Sequence, residues 1–400
     1  MYLTEYEERV LRGEEGWAKA RALEVIVKVG EALGAERLQP IVHAHVSGVS
    51  YYNIGEPGLR LLEDLASRGA RFSVPTTVNP IGFDLDNPYA LDYVDVTDDL
   101  VRGQRAVIRA LESMGAKLTF TCTPYYIPDV SGLERGASVA WGESSAVVYA
   151  NSVLGLRTNR EGGPLALMAA IAGRTYYYGM HVDSERVPRV GYRLSPTGPS
   201  LDYASSGVLG EIIATLHRAP GPPLLRAKVD DDVFRELAAA VGAAGDIPMV
   251  FVPGLTPERE PEGLEAEEPI EWADVEERLE RLAPPDDVEV VYLGCPHASV
   301  KYLERLATYL SRGEPRQSSP RLVITLSRAE EAKVPSHVIG VLRRYRAVIV
   351  RDTCLVVAPL RSGISVATDS YKAYFYLSRR GVRIGLEPTE RLAERLMNPW

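Results

Sequence analysis

The sequence lacks the features that would place the protein in a membrane or on nucleic acid. No apolar run approaches the roughly 20 residues that span a bilayer, and the first residues lack the basic-then-apolar order of a signal peptide. Positive charge is also in deficit, with 45 basic against 54 acidic residues and a formal net charge of −9. Because duplex binding and membrane-surface binding both need a cationic footprint, we expect a cytoplasmic protein with neither partner.

Cysteine is scarce as well. The only three are Cys122, Cys295 and Cys354, and an odd number at such wide spacing is a poor disulfide framework. The three thiols are therefore expected to be free, catalytic or metal-bound.

The composition that remains is that of a globular protein with more than one domain. The chain has 400 residues, of which 46% are hydrophobic and 25% charged, and this length predicts two or three domains. Short apolar runs alternate with helical patterns through both halves, which predicts an α/β fold with mostly parallel sheets. A proline-rich stretch at 219–224 is the best linker candidate. It divides an N-terminal α/β region, 1–218, with Cys122 from a C-terminal α/β region, 224–400, with Cys295 and Cys354.

Each cysteine follows a predicted strand. Cys122 ends KLTFTC, Cys295 follows VEVVYLG, and Cys354 comes just after AVIVRD. Two further strands are predicted at PMVFVP and LVVAP. In parallel sheets ligands bind at the carboxyl ends of strands, so the three thiols could share one site. Pro296 is suited to the first position of a helix after Cys295, where a thiolate is favoured. Spacing alone still favours three unrelated buried thiols, because no C-x-x-C motif is present.

Polar residues cluster after two other predicted strands. His43 and His45 lie two apart, on one face of a strand, and packing or hydrogen bonding explains them better than metal binding. The turn at Gly48, Val49 and Ser50 could bring backbone amides close to an anion, and VPTTVNP, residues 74–80, offers further hydrogen-bonding side chains. Ordinary turn chemistry explains both segments equally well.

Two charged residues stand near predicted helix starts. Glu143 and Ser144 open a helix within WGESSAVVYANSVLGLRTNREGG, residues 141–163, where helix capping and a role in a binding site are comparable explanations. Lys372 lies early in another helix, which is an electrostatically poor place for a purely structural cation.

Six segments together closely resemble the aconitase X family, in particular its large subunit: HVSGVSYYNIGEPG, VPTTVNP, CTPY, the 141–163 segment, YGMH and GCPHAS. The resemblance implies an aconitase-like fold of several parallel-sheet α/β units around a central iron-sulfur site. It also implies that Cys122, Cys295 and Cys354 are the cluster ligands. A 4Fe-4S cluster normally takes four cysteines, so three would leave one iron open as a Lewis acid. Ordinary aconitases carry a C-x-x-C pair that is missing here, which leaves the cluster type open.

Two activities compete within the family. One is dehydration of (R)-5-phosphomevalonate to trans-anhydromevalonate 5-phosphate, an isoprenoid-pathway step catalysed by separate large and small subunits. The other is dehydration of cis-3-hydroxy-L-proline, often by a fused chain. Because the sequence ends at Trp400 just after a predicted helix, we expect the two-subunit hydro-lyase of the modified mevalonate pathway. A small swivelling-domain subunit would form a heterodimer with this chain and supply a serine as the catalytic base.

Eight further residues match positions expected to line the substrate site of the family. Their amides, hydroxyls and ammonium suit a doubly anionic phosphorylated hydroxy acid. They are Gly48, Val49, Ser50, Asn79, Pro80, Glu143, Ser144 and Lys372.

A non-enzymatic function is the remaining alternative. The chain could be a regulatory scaffold that uses its three thiols as a redox sensor or as a zinc site, with His297 as a fourth ligand.

Overall fold

A computed structural model describes residues 1–399 and shows helices throughout the chain. The α-helices are α1 (Glu5–Leu11), α2 (Trp17–Ala32), α3 (Tyr51–Ser67), α4 (Asp98–Ser113), α5 (Pro128–Ser131), α6 (Ser144–Tyr149), α7 (Gly162–Ala172), α8 (Tyr203–Leu216), α9 (Asp231–Ala244), α10 (Trp272–Arg281), α11 (Val300–Leu310), α12 (Arg328–Glu331), α13 (Ser336–Arg344), α14 (Tyr371–Arg379) and α15 (Thr389–Leu396).

The strands are short and alternate with these helices. They are β1 (Leu38–Pro40), β2 (His43–Val46), β3 (Thr76–Val78), β4 (Val139–Trp141), β5 (Arg174–Tyr176), β6 (Val190–Leu194), β7 (Leu224–Arg226), β8 (Ala266–Ile270), β9 (Val290–Leu293), β10 (Gly313–Pro315), β11 (Arg321–Leu326), β12 (Val348–Arg351), β13 (Ser365–Thr368), β14 (Arg383–Leu386) and β15 (Met397–Pro399).

Parallel pairing dominates the sheets, which confirms the predicted α/β class. A five-stranded parallel sheet has the order β12-β11-β9-β13-β14, and two three-stranded parallel sheets have the orders β3-β2-β4 and β7-β6-β8. The pairs β1-β5 and β10-β15 are antiparallel. Strand β2 is buried at every position, as expected when helices cover both faces of a parallel sheet.

Several helices begin where the local sequence supplies a capping side chain. Thr4 and Glu7 form the predicted capping box at the start of α1. Asp230 accepts a hydrogen bond from Val233 at the start of α9, and Ser370 accepts one from Ala373 at the start of α14. These side chains satisfy amide groups that lack a partner within the helix.

Several local predictions were wrong. KLTFTC is irregular apart from one bridge at Lys117, so Cys122 does not follow a regular strand. PMVFVP forms one isolated bridge, at Phe251, and LVVAP forms a short 3-10 turn, Leu355–Val357. The helix after Cys295 begins at Val300 with Ser299 as its cap, so Pro296 is not its first residue. Apolar runs predict burial, but the neighbouring strands decide which buried runs pair.

A helix that crosses a bilayer needs about 20 predominantly apolar residues. Within residues 1–399, no helix is both long enough and apolar enough to cross a membrane. The cytoplasmic location stays a prediction.

Candidate active site

Loops that follow β2 and β3 meet the segment that carries Cys354. Ser50 donates a hydrogen bond to the carbonyl of Val357 over 3.0 Å. Ile81 binds this segment through both backbone groups: its N–H donates to Asp352 over 3.0 Å, and its carbonyl accepts from Cys354 over 2.9 Å. These contacts join two regions of the chain that are more than 250 residues apart.

The three thiols lie in one neighbourhood, in which Cys122 and Cys295 are buried and Cys354 is partly exposed. Burial raises the pKa of Cys122 to about 12, and Glu143 and Cys354 add to the increase. Burial also raises the pKa of Cys295, with further contributions from Cys354 and Cys122. Each thiol is thus within electrostatic reach of another, so they do not lie in separate hydrophobic interiors.

The loop between Cys295 and α11 is held by specific polar contacts. The backbone N–H of His297 donates to Sγ of Cys122 over 3.2 Å, and its ring Nε2 bonds to the carbonyl of Thr353 at 2.8 Å. Arg235, buried in α9, donates to the carbonyl of His297 over 2.6 Å. His297 therefore links the surroundings of all three cysteines.

A buried ion pair joins Glu143 to Lys372. Their side chains are 6% and 8% exposed, respectively, and the Lys372 ammonium donates directly to the Glu143 carboxylate. Burial opposes ionisation of Glu143, but Lys372 and the helix-capping hydrogen bonds hold its pKa below the ordinary value. Burial alone would lower the pKa of Lys372, whereas Glu143 and Cys295 raise it. Both groups are therefore charged at neutral pH.

The capping and binding explanations for Glu143 are compatible in the structure. Glu143 accepts from the backbone N–H of Ala146 over 2.8 Å and from the hydroxyl of Ser145 over 2.5 Å, so it caps α6. Ser144 also contacts the Glu143 carboxylate, at 3.4 Å. The carboxylate that caps this helix is the same one that neutralises Lys372.

Lys372 is positioned by a carboxylate that the sequence analysis missed. Glu236, fully buried in α9, accepts hydrogen bonds from the backbone N–H groups of Tyr371 and Lys372 at the start of α14. Burial and the nearby Asp369 raise the pKa of Glu236, so its contribution to the helix start is the pairing of two N–H groups that lack a partner within the helix. Arg235 and Glu236 interrupt an otherwise apolar helical segment, FRELAAAV, and that interruption was the available signal.

A polar row crosses the β2-β3 pair. The parallel register sets His45 beside Thr77, and Asn79 follows two residues after Thr77, on the same face. The ring Nδ1 of His45 lies 2.8 Å from Oγ1 of Thr77, and Nε2 lies 2.9 Å from Oδ1 of Asn79. Hydrogen bonding, the explanation favoured from the sequence, is confirmed for His45.

Three other predicted substrate residues, Gly48, Val49 and Pro80, have no polar side chain to offer a ligand. Gly48 has a positive φ of 72°, which favours glycine. The Val49 side chain packs in the N-terminal core, while its carbonyl accepts from Gln104 over 2.8 Å. Pro80 is buried between Asn79 and Ile81. Gly48, Val49 and Pro80 can therefore contribute backbone groups or shape to a site.

An open cavity lies elsewhere in the molecule. It has a volume of about 830 Å³ and is lined by residues of β6, β7 and α10, including Arg193, Arg226 and Trp272. Its arginines already form ion pairs, Arg193 with Glu267, and Arg226 with Glu260 and Glu267. The convergence of thiols and charges marks the candidate active site better than cavity size does.

Comparison with known proteins defines the class. The first, second and third domains of aconitase X match residues 1–184, 180–281 and 288–398, respectively. The chain belongs to the aconitase X family. The division into regions 1–218 and 224–400 stays a prediction.

Individual relatives are similar over nearly the whole chain. The phosphomevalonate dehydratase large subunit of Aeropyrum pernix is 53% identical, with 98% of this chain and 99% of the relative covered. That of Thermococcus kodakarensis is 37% identical with the same coverage. The cis-3-hydroxy-L-proline dehydratase of Pseudomonas aeruginosa is 33% identical, covering 88% of this chain and 61% of the relative. The crystal structure of Thermococcus kodakaraensis aconitase X in its holo-form superposes with a TM-score of 0.89 at 36% identity, covering 99% of this chain and 100% of that one.

Membership of this aconitase-like family implies an iron-sulfur cluster, and the residues present fit such a group. Cys122, Cys295 and Cys354 supply three soft sulfur donors within electrostatic reach of one another. Within residues 1–399, no three His, Cys, Asp or Glu side chains are arranged to hold a single metal ion. A cluster binds each thiolate at a different iron atom, so its ligands need not converge on one point. The donor set therefore fits a cluster, and the zinc site with His297 stays the alternative.

Proposed function

We propose that this chain is the large subunit of a hydro-lyase that dehydrates (R)-5-phosphomevalonate to trans-anhydromevalonate 5-phosphate. The observation that carries this proposal is the 53% identity to the Aeropyrum pernix large subunit over 98% of the chain. The reaction removes the tertiary hydroxyl and one proton alpha to the carboxylate, and together these leave as water. A carbon-carbon double bond forms in their place.

Cys122, Cys295 and Cys354 would hold the cofactor, which we propose is a 4Fe-4S cluster. When bound, such a cluster supplies a Lewis acid that makes hydroxide a tolerable leaving group. Cys122 and Cys295 are buried, which limits the access of bulk water to their sulfur atoms, whereas Cys354 is partly exposed. The His297 N–H donates to Cys122 and helps to fix the orientation of that sulfur.

The charged and polar side chains of the site would bind and orient the substrate anion. Lys372 supplies a buried ammonium whose charge is maintained by Glu143, and Asn79 supplies an amide at the end of β3. Ser50 lies in the loop that contacts the Cys354 segment. Positive charge and oriented donors in a buried site stabilise carboxylate or phosphate oxygens more strongly than they do in water.

The proton would be removed by a base from a separate small subunit. The names of the relatives, which call each a large subunit, support the existence of such a partner. We propose that the partner is a swivelling domain that forms a heterodimer with this chain and contributes a serine as the base. This chain alone is then inactive.

The decisive experiment is anaerobic reconstitution of the chain with its small subunit. Turnover of (R)-5-phosphomevalonate is measured beside turnover of cis-3-hydroxy-L-proline, each with and without the small subunit. We expect dehydration of the phosphorylated substrate only, and only with both subunits. Turnover of the amino acid alone would replace our proposal with the second activity of the family.

The cofactor assignment is tested separately by visible absorption and metal analysis of anaerobically prepared protein. Wild-type protein should be brown and contain iron, whereas Cys295→Ser should lose colour, iron and activity. Colourless wild-type protein that contains zinc would support the scaffold alternative, because zinc complexes do not absorb visible light. A coloured and active Cys295→Ser variant would contradict the ligand assignment.

A further inference from the structure

The row formed by Thr77, His45 and Asn79 connects a buried hydroxyl to a candidate substrate residue. His45 is 0% exposed and Thr77 1% exposed, so neither can exchange its partners for water. Asn79, at the other end, is only partly buried. The row therefore runs from the interior of the sheet towards the loop that contacts Asp352 and Cys354.

The His45 ring is neutral in this environment. Burial lowers the pKa of His45 to about 4, although Asn79, Glu143 and Thr121 act in the opposite direction. A neutral imidazole carries its proton on one nitrogen and has an acceptor lone pair on the other. The row can thus exist in two arrangements, with the proton on Nδ1 or on Nε2.

The hydroxyl of Thr77 selects between these arrangements. Among the described residues, the His45 ring is the only hydrogen-bond partner of this hydroxyl. If Thr77 accepted a proton from the ring, its own hydroxyl proton would be buried without an acceptor, which costs free energy. The Thr77 hydroxyl therefore donates to Nδ1 of His45. The His45 proton is then on Nε2, which donates to Oδ1 of Asn79.

This direction determines which end of the Asn79 amide is free. With Oδ1 bound to His45, the Nδ2 group points away from the ring and has no hydrogen-bond partner within residues 1–399. Two N–H donors are therefore available to an external acceptor. A reversed amide would present a carbonyl oxygen and repel an anion.

We propose that His45 is a positioning residue that fixes the Asn79 amide with both N–H donors towards an anionic oxygen of the substrate. The inference rests on the proposed function, because it takes the substrate to be an anion bound beside Asn79. Thr77 acts one step further back by setting the tautomer of His45. The row thereby selects anions without adding a charge to the site.

Two pairs of variants test this chain of donors in the reconstituted two-subunit enzyme with (R)-5-phosphomevalonate. Gln at position 45 places an amide nitrogen near the position of Nε2, whereas Asn cannot reach Asn79. We expect His45→Gln to keep KM within about threefold and His45→Asn to raise it roughly 10- to 100-fold, as for a lost hydrogen bond to a charged group. Thr77→Ser should likewise preserve KM, while Thr77→Val should raise it. Equal effects within each pair would overturn the proposal.

The tautomer can be measured without turnover. The full chain has six histidines, so selective nitrogen-15 labelling of histidine gives few signals, and the His45 signals are assigned by their loss in His45→Gln. We expect a protonated Nε2 and an unprotonated Nδ1 in wild-type protein. A protonated Nδ1 would refute the inference even if phosphomevalonate is the substrate. Failure of wild-type turnover with the expected tautomer would refute only the proposed substrate.

Discussion

Replacing Lys372 by methionine tests the energetics of the buried ion pair with Glu143. Breaking a buried pair by removing one partner typically costs about 3–5 kcal/mol. In Lys372→Met, Glu143 keeps the hydrogen bonds from Ser145 and Ala146. We therefore expect this variant to lower the free energy of unfolding by about 3 kcal/mol, the lower end of that range. Glu143→Gln keeps a neutral amide acceptor but removes the negative charge, which leaves the Lys372 ammonium buried without a counter-charge, so its cost should lie nearer the upper end of that range.

The double variant separates the interaction from the loss of either side chain. With both charges removed, no unpaired charge remains buried, and the cost should fall below the sum of the single costs by about 2 kcal/mol. The assay is urea denaturation of the full chain, because urea is uncharged and does not screen the pair. Lys301→Met is the matched control: its ammonium lies 3.7 Å from Asp230 in an exposed pair, worth about 0–1 kcal/mol.

The pH dependence of the free energy of unfolding is a second measurement of the same ion pair. The pKa of Glu143 is lowered in the folded state, so its contribution to stability is present above the ordinary value of about 4.3 and is lost as the pH falls through the folded value. In Lys372→Met, burial without a cation should raise this pKa, and stability should then decrease as the pH rises. The stability difference between wild type and variant should therefore grow between pH 4 and pH 8. Additive costs, or a constant difference over this range, would refute the reasoning.

Three further perturbations have defined outcomes. Burial raises the pKa of Glu161 to about 7, so ionisation of Glu161 destabilises the fold as the pH rises from about 4.3 through 7. The melting temperature of Glu161→Gln should therefore depend less on pH over this range than that of the wild type. An equal pH dependence of the two proteins would contradict this expectation. Gly82→Ala would place a Cβ 2.6 Å from the carbonyl of Val357 and should cost about 1–3 kcal/mol in urea denaturation. Its control, Gly340→Ala in α13, has no atom within 4 Å and should stabilise by about 0.5–1 kcal/mol.

The sequence predicted the parts of the fold that depend on local pattern. The strands at VEVVYLG, RLVITL and AVIVRD and the helix from Trp272 are confirmed, because strong periodicity and clear helix starts specify them locally. Strand β13 (SVAT) was missed, since its four residues carry little pattern of their own. Its assignment comes from parallel pairing with β9 and β14, which are far away in sequence.

The sequence indicated a set of candidate site residues, whose roles stay predictions, but it did not indicate the contacts among them. Motif resemblance identified Glu143 and Lys372, yet nothing local to either residue indicates that the two form an ion pair across 229 positions. The buried role of Glu236 and the row through His45 likewise depend on how helices and strands pack. Residue type indicates which chemistry is available, whereas tertiary packing decides which groups meet.

The packing also makes the loops after β2 and β3 and the segment that carries Cys354 mechanically dependent on each other. Ile81 is hydrogen-bonded on both backbone groups to Asp352 and Cys354, and it lies two residues after Asn79. Ser50 is tied to Val357, three residues after Cys354. A shift of the Cys354 segment must therefore break these bonds or move both substrate loops with it. Because close-packed interiors transmit such displacements, the thiol that would bind the cluster and the amide that would bind the substrate are positioned by one set of contacts.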